Sequence, residues 1–271
     1  MIETTQRSLF NHLTQDVGIQ STDSVFVFSS LRGFGKMENE AQGVVEVLED
    51  VLDEGCLFFP TFSYSWCNGM DYDPQLTPAP LMGEIAENTL GRPGYVRTNH
   101  PNFSVNTRCK TAEISIDTET GLDAFGEGSI FQTLYEIHPN TKILLLGGVF
   151  PDCLYRSTFV HTAQQIEGAW YRYLKRIPAP GNSEIYATQL VRYFSEEEYR
   201  SDRKEIQMNL RLKFPITEDF TNYGQELYRK NHIKLTPFGY SKTRVVTVGD
   251  TVDVFREGLI EDMNFGLKIE S

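Results

Sequence analysis

Residues 24–62 read SVFVFSSLRGFGKMENEAQGVVEVLEDVLDEGCLFFPTF, two apolar runs of strand length on either side of a helical period. Val25, Phe26, Val27 and Phe28 are β-branched or aromatic, the types that suit a pleated surface. The run ends in SSLRGFGK, where Gly33 and Gly35 break any regular pattern. Val44, Val45, Leu48, Val51 and Leu52 then recur three and four apart, making one apolar helix face that Gly55 closes. CLFFPTF follows as the second strand. A strand, a helix and a strand in this order predict a parallel pair joined by a crossover, and so an α/β protein.

Outward from this unit, Leu9, Phe10, Leu13 and Val17 predict an amphipathic helix over residues 4–17, with Gly18 at its C-cap. KILLLGGV, residues 142–149, is a third buried strand, and residues 158–167 read as the helix after it. Residues 63–99 are rich in Pro, Gly, Asp and Tyr, with one short helical stretch near residues 82–90. Irregular segments of that length are commonly functional. Beyond Pro178, IYATQLVRYF alternates like a half-exposed strand, and Ser195 with Glu198 makes a capping box for a charged helix. Residues 244–248 form another strand and residues 250–262 a closing helix. No repeat or linker divides the chain. The expected fold is therefore α/β, a mixed, largely parallel central sheet flanked by helices, in a single domain over residues 1–271. Its C-terminal third, from about residue 180, is expected to add a smaller α+β layer.

The chain of 271 residues carries 25 basic and 37 acidic side chains, a net charge of −12. That balance removes the counterion release that drives nucleic-acid binding, and no local basic patch restores it. It also repels acidic membrane surfaces and favours cationic ligands. The first ten residues, MIETTQRSLF, lack the basic and apolar regions of a signal peptide, and no apolar run is long enough to span a bilayer. A soluble cytoplasmic protein is expected. Cys56, Cys67, Cys109 and Cys153 are irregularly spaced with no C-x-x-C pair, which predicts reduced, buried thiols and no metal site.

Of five histidines, His12 falls on the polar side of the first helix and His232 in a polar stretch, so both are expected at the surface. His138 precedes a proline in a turn. His100 and His161 sit among hydroxyls and turn residues. His161 lies in the first turns of a helix at a strand's carboxyl end, where open α/β sheets bind ligands. Gln164, three residues on, shares its face and offers a carbonyl oxygen to one ring nitrogen, leaving the other to act as a base. From spacing alone, a satisfied helix histidine is the simpler reading. SSLRGFG offers backbone N–H groups, hydroxyls, Arg32 and Lys36 to a phosphate. It is neither a P-loop nor a dinucleotide fingerprint, and an ordinary tight loop explains it equally well. In the irregular segment, Asp71, Asp73, Glu84 and Glu87 are candidates to bind cationic groups, and Tyr64 and Trp66 to stack on a sugar face. A turn or helix-surface carboxylate and an aromatic core residue are the plainer explanations.

In order along the chain, DSVFVFSSLRGFG, LFFPTFSYSW, MGEIAENTLGRPGYVRTNHPNFSV, FGEGSIFQTLYE and KILLLGGV with STFVHTAQQIEGAWYRYLK resemble the aminoglycoside 3-N-acetyltransferase family. P-G-x-V-R-[ST]-x-H-P-x-x-S followed by the T-x-x-H helix is the specific combination. The resemblance implies acetyl-CoA as co-substrate, with no metal. It implies that Ser29, Ser30, Leu31, Arg32, Gly33, Gly35 and Lys36, with Ser104, hold the cofactor. It also implies that His161 is the general base and that direct transfer acetylates an amine. Tyr64, Asp71, Asp73, Glu87 and His100 are the expected substrate contacts. The family's usual partner for that histidine is a glutamate, and Gln164 stands there instead. A charge-assisted hydrogen bond contributes about 1.5–3 kcal/mol against about 1 for a neutral one, so a weaker base is implied. Arg108, Cys109 and Lys110, and Leu90 in place of an arginine, depart from the family at the rim. The expected partner is an amine of an amino sugar or aminoglycoside, and a homodimer is an open assembly. Three functions fit: a broader amino-sugar acyltransferase, a resistance enzyme in the strict sense, and a silent relative that binds CoA or a sugar without turnover.

Overall fold

A computed structural model describes residues 2–63, 65, 70–110, 124–148, 158–169, 176–178, 184–186 and 216–269. Tyr64, Trp66, Cys67, Cys153 and the capping box at Ser195 and Glu198 lie outside them. The elements are β1 (Glu3–Thr4), α1 (Gln6–Asn11), β2 (Ser24–Ser29), β3 (Lys36–Met37), α2 (Glu40–Val51), β4 (Cys56–Pro60), α3 (Glu84–Glu87), β5 (Val96–Arg97), β6 (Val105–Cys109), α4 (Ile130–Ile137), β7 (Lys142–Leu146) and α5 (Phe159–Ile166). They continue with β8 (Arg176–Pro178), β9 (Glu184–Tyr186), β10 (Ile216–Glu218), α6 (Thr221–Arg229), β11 (Lys234–Phe238), β12 (Ser241–Thr247), α7 (Val248–Glu261) and β13 (Leu267–Ile269).

A seven-stranded sheet in the order β11-β12-β7-β2-β4-β6-β5 organises the chain. Alternation along β2 splits the core between its two faces, as a period of two requires. Val25 and Val27 join Leu9, Leu13, Val44, Leu48, Leu57 and Leu144 under α1 and α2. Phe26 joins Phe58, Phe131, Ile143, Phe159 and Phe255 under α4, α5 and α7. Every residue of β4 is buried, as in a strand covered on both faces.

The mixed α/β sheet flanked by helices is as expected. Parallel pairing is narrower than a largely parallel sheet implies: within this sheet, β7–β2 and β2–β4 are the parallel pairs. The flanks, β11–β12, β12–β7, β4–β6 and β6–β5, are antiparallel. On one flank, Phe238 pairs with Ser241 across a loop of Gly239 and Tyr240, and Gly239 takes the positive φ (61°) that a tight hairpin turn needs.

Two expectations about single residues are corrected. His12 is buried, because the helix widens into a π-turn over residues 12–17 and the β11–β12 hairpin folds across it. Its ring stacks on Phe238 at 4.2 Å, and its Nε2 lies 2.8 Å from the Thr243 hydroxyl. Cys56 and Cys109, expected as reduced thiols, are direct cross-strand partners on β4 and β6 and are joined as a disulfide. Their separation of 53 residues hides this adjacency in the sequence. The helix expected over residues 4–17 begins at Gln6, after β1 and the N-cap Thr5, and does end at Gly18, with φ 82°.

Candidate active site

The parallel strands β2 and β7 run side by side, with Ser29 opposite Leu146, so their carboxyl ends open on one edge of the sheet. The turn leaving β2 begins there. The Ser30 N–H donates to the Leu146 carbonyl (2.9 Å), and the Ser30 hydroxyl accepts from the Arg32 N–H (3.4 Å). Residues 31–33 form one 3-10 turn. Ser29, Ser30, Leu31 and Arg32 make one wall of a cleft of about 420 Å³, and Pro80, Met82, Gly83, Glu84 and Glu87 contribute to the other. One wall therefore offers hydroxyls, backbone and a guanidinium, and the other two carboxylates.

Gly33 and Gly35 serve the loop's seating. A Cβ on Gly33 would stand 2.3 Å from the Gly147 carbonyl oxygen, and one on Gly35 2.4 Å from that of Ile2. Lys36 is exposed and faces Glu3 at 3.6 Å.

His161 lies on α5, on the same side of the sheet as Phe26. The ring is buried, with Phe125 at 5.0 Å and Phe220 at 6.4 Å between ring centres. Its Nδ1 is 3.0 Å from Gln164 Oε1. An amide oxygen only accepts, so Nδ1 carries the proton and Nε2 the lone pair. Gln164 is itself 1% exposed.

Ser104 is fully buried in a network around Arg97. Its hydroxyl donates to the Thr61 carbonyl (2.8 Å) and accepts from Arg97 Nε (3.0 Å). Arg97 also donates to the Thr61 carbonyl (2.6 Å) and to that of Thr77, with its guanidinium 5.2 Å from the Tyr72 ring centre. Burial lowers its pKa. The motif P-G-x-V-R-[ST]-x-H-P-x-x-S contains Arg97, but nothing in its spacing marks that residue as the centre of a buried network. An arginine among hydroxyl-bearing residues was the available signal.

The substrate candidates separate. Glu87 lines the cleft and accepts from the Ala79 N–H (3.0 Å). Asp71 is exposed, and Asp73 closes a turn by accepting from the Gln75 N–H at 2.7 Å. His100 Nδ1 accepts from the N–H groups of Asn102 (3.3 Å) and Phe103 (2.9 Å), and burial lowers its pKa to about 4. It is a neutral cap for its own loop. The structure thus brings Ser29, Ser30, Leu31, Arg32 and Glu87 to one cleft, and pairs His161 with Gln164. Ser104 and His100 are engaged within the 97–105 region.

A mixed sheet covered on both faces, with a buried histidine on the helix after a central strand and a cleft at the parallel strands' carboxyl ends, defines an α/β enzyme. The chain belongs to the aminoglycoside 3-N-acetyltransferase family, which it matches over residues 26–259, and is an acetyltransferase of that family. It is 23% identical over 283 residues, 94% of each chain, to YokD of Bacillus subtilis (strain 168), an SPbeta prophage-derived aminoglycoside N(3')-acetyltransferase-like protein. The YokD crystal structure superposes with a TM-score of 0.70 at 22% identity, covering 97% of this chain and 95% of that one. Apo AAC(3)-IVa gives 0.72 at 19% identity, covering 98% and 92%. The AAC-IIIb binary structure with CoASH gives 0.69 at 17% identity, covering 96% and 97%. At these identities the likeness speaks for the fold. No helix among the described residues is long and apolar enough to cross a membrane.

Proposed function

We propose that this chain transfers an acetyl group directly from acetyl-CoA to an amine of an amino sugar or aminoglycoside, with His161 as general base. The observation that carries it is the 3.0 Å contact between His161 Nδ1 and Gln164 Oε1, which puts the lone pair that takes a proton on Nε2. Acetyl-CoA supplies the acetyl thioester, and the wall of Ser29, Ser30, Leu31 and Arg32 supplies the donors that would hold it. Those groups fit a phosphate-bearing chain, because a guanidinium and two hydroxyls line the cleft.

The acceptor amine attacks the thioester carbonyl as His161 Nε2 removes its proton. A C–N bond forms and the C–S bond breaks. The proton on His161 then passes to the departing sulfur, which restores the neutral imidazole. Gln164 keeps the ring in the productive tautomer throughout, without the negative charge that would stabilise the imidazolium.

The relatives' ligands support this reading. AAC-IIIb was solved with CoASH, an AAC(3)-IVa variant with a gentamicin and with apramycin, and AAC-VIa with sisomicin. The test is release of CoA thiol from acetyl-CoA by the full chain over a panel of amines. Turnover of at least one amine is expected, and binding of CoA with turnover of none would establish the silent relative instead.

A further inference from the structure

The 3-10 turn of residues 31–33, whose Leu31 and Arg32 line the cleft, is fastened at both ends. At its start the Ser30 N–H donates to the Leu146 carbonyl of β7 (2.9 Å), and at its end the Gly33 carbonyl accepts from the Tyr240 N–H (2.8 Å). Tyr240 stands in the turn of the β11–β12 hairpin, at the far flank of the sheet. Its side chain holds the loop a second time. The Tyr240 hydroxyl accepts from the Ile2 N–H (2.8 Å), and the Ile2 carbonyl accepts from the Lys36 N–H (2.9 Å). Tyr240 and Ile2 together therefore bridge the Gly33 carbonyl to the Lys36 N–H and close a ring around Phe34 and Gly35.

That ring is tightly filled. A Cβ on Gly35 would stand 3.1 Å from Tyr240 Cε2, and one on Gly239 2.4 Å from the Gly33 carbonyl oxygen. Phe34 is fully buried and meets Phe238 of β11 edge to face, with ring centres 6.1 Å apart. The Thr4 hydroxyl donates to the Phe34 carbonyl (2.6 Å). Tyr240 itself is 57% exposed, so its side chain adds little to the core. What it holds is the loop. A wall that presents hydroxyls and a guanidinium to a ligand binds best when its geometry exists beforehand, because ordering it on binding subtracts from affinity.

We propose that Tyr240 is a positioning residue for the cofactor: its N–H and hydroxyl fix the turn that carries Leu31 and Arg32, so that acetyl-CoA meets a wall already in place. Tyr240 acts through the loop and touches no reacting atom. The inference rests on the reading of Ser29, Ser30, Leu31 and Arg32 as the acetyl-CoA wall, and it adds that a hairpin about 200 residues further along the chain sets that wall's affinity.

The experiment titrates CoA calorimetrically into the full chain and measures Tm and, with an amine that turns over, the KM for acetyl-CoA and for the acceptor. Tyr240→Phe keeps the ring and removes the acceptor of the Ile2 N–H, and should weaken CoA about threefold, the scale of one net hydrogen bond. Tyr240→Ala also uncovers Gly35 and should weaken CoA about tenfold, with the KM for acetyl-CoA rising in step. In both variants the acceptor KM and the kcat at saturation should stay at wild-type values, a split that a general loss of structure does not produce. Wild-type CoA affinity in both variants, or equal weakening of CoA and acceptor together with a lower Tm, would overturn the inference. Arg32→Glu separates it from the reading beneath it by placing a carboxylate in the wall. Undiminished CoA binding in Arg32→Glu removes the cofactor wall and the inference with it, whereas weakened binding there beside unchanged Tyr240 variants removes the inference alone.

Discussion

Nδ1 of His161 lies 3.0 Å from Oε1 of Gln164, one helical turn further along α5, and both side chains are buried. The amide fixes the imidazole tautomer by an orientation the helix itself imposes, since residues three apart share a face. It does so with a dipole and no net charge. In the base role proposed for His161, the ring's orientation and its basicity are therefore set by different properties of one neighbour.

His161→Ala should lower kcat by about 10²–10⁴ while leaving the KM for acetyl-CoA nearly unchanged, the usual scale for losing a positioned general base. Steady-state CoA-thiol release at saturating acceptor measures it. A variant with the wild-type kcat would show that the proton leaves by another route.

Gln164→Glu should strengthen the base. A carboxylate beside Nδ1 favours the protonated ring, so the acid limb of the pH profile of kcat/KM is expected about one unit higher than in wild type. Above that limb, kcat should rise several-fold on an acceptor the chain already uses. A profile that superposes on the wild type would mean that the substitution does not reach the ring.

Arg97 binds three neutral acceptors, the carbonyls of Thr61 and Thr77 and the hydroxyl of Ser104, and so ties residues 72–79 to β4 and β6. Arg97→Met abandons those acceptors in a buried place, and a loss of about 3 kcal/mol is expected in urea unfolding. Amide exchange should accelerate first at Thr77 and Ala79. A loss below about 0.5 kcal/mol would mean that water replaces the guanidinium at no cost.

His100 gives the stability a pH dependence. Its folded pKa of about 4 lies below the usual 6.5, so the unfolded chain binds the proton more readily between those values. Stability contributed by the neutral ring is present above pH 6.5 and is lost as pH falls toward 4. His100→Asn keeps an acceptor for the N–H groups of Asn102 and Phe103 and does not titrate. The variant should lose less stability than wild type between about pH 7 and pH 5, as read from urea midpoints. Equal losses would place the ring in water.

Much of this was legible along the chain because it is written in local patterns. The alternation of Val25 to Phe28 and the three-and-four spacing of Val44 to Val51 pointed to β2, α2 and β4 directly, and Gly18 was a true C-cap. The motif carrying His161 placed it on a helix after a central strand, with Gln164 on its face. The errors came from contacts between distant residues. His12 reads as a surface residue until the β11–β12 hairpin, 231 residues later at Thr243, covers it. Cys56 and Cys109 look unrelated until antiparallel pairing sets them opposite each other. The glycines of SSLRGFG suggested a phosphate loop, and close backbone packing against Gly147 and Ile2 also requires them.

By itself, then, the sequence determined the strand-helix-strand core, the family, and the missing charge at position 164, because periodicity and residue identity are properties of a segment. Only the tertiary structure decided that His12 is buried, which cation is buried among carbonyls, and that Glu87 shares a cleft with Ser30 and Arg32. Burial and hydrogen-bond satisfaction depend on what the rest of the chain brings alongside, and no window along the sequence contains that neighbour.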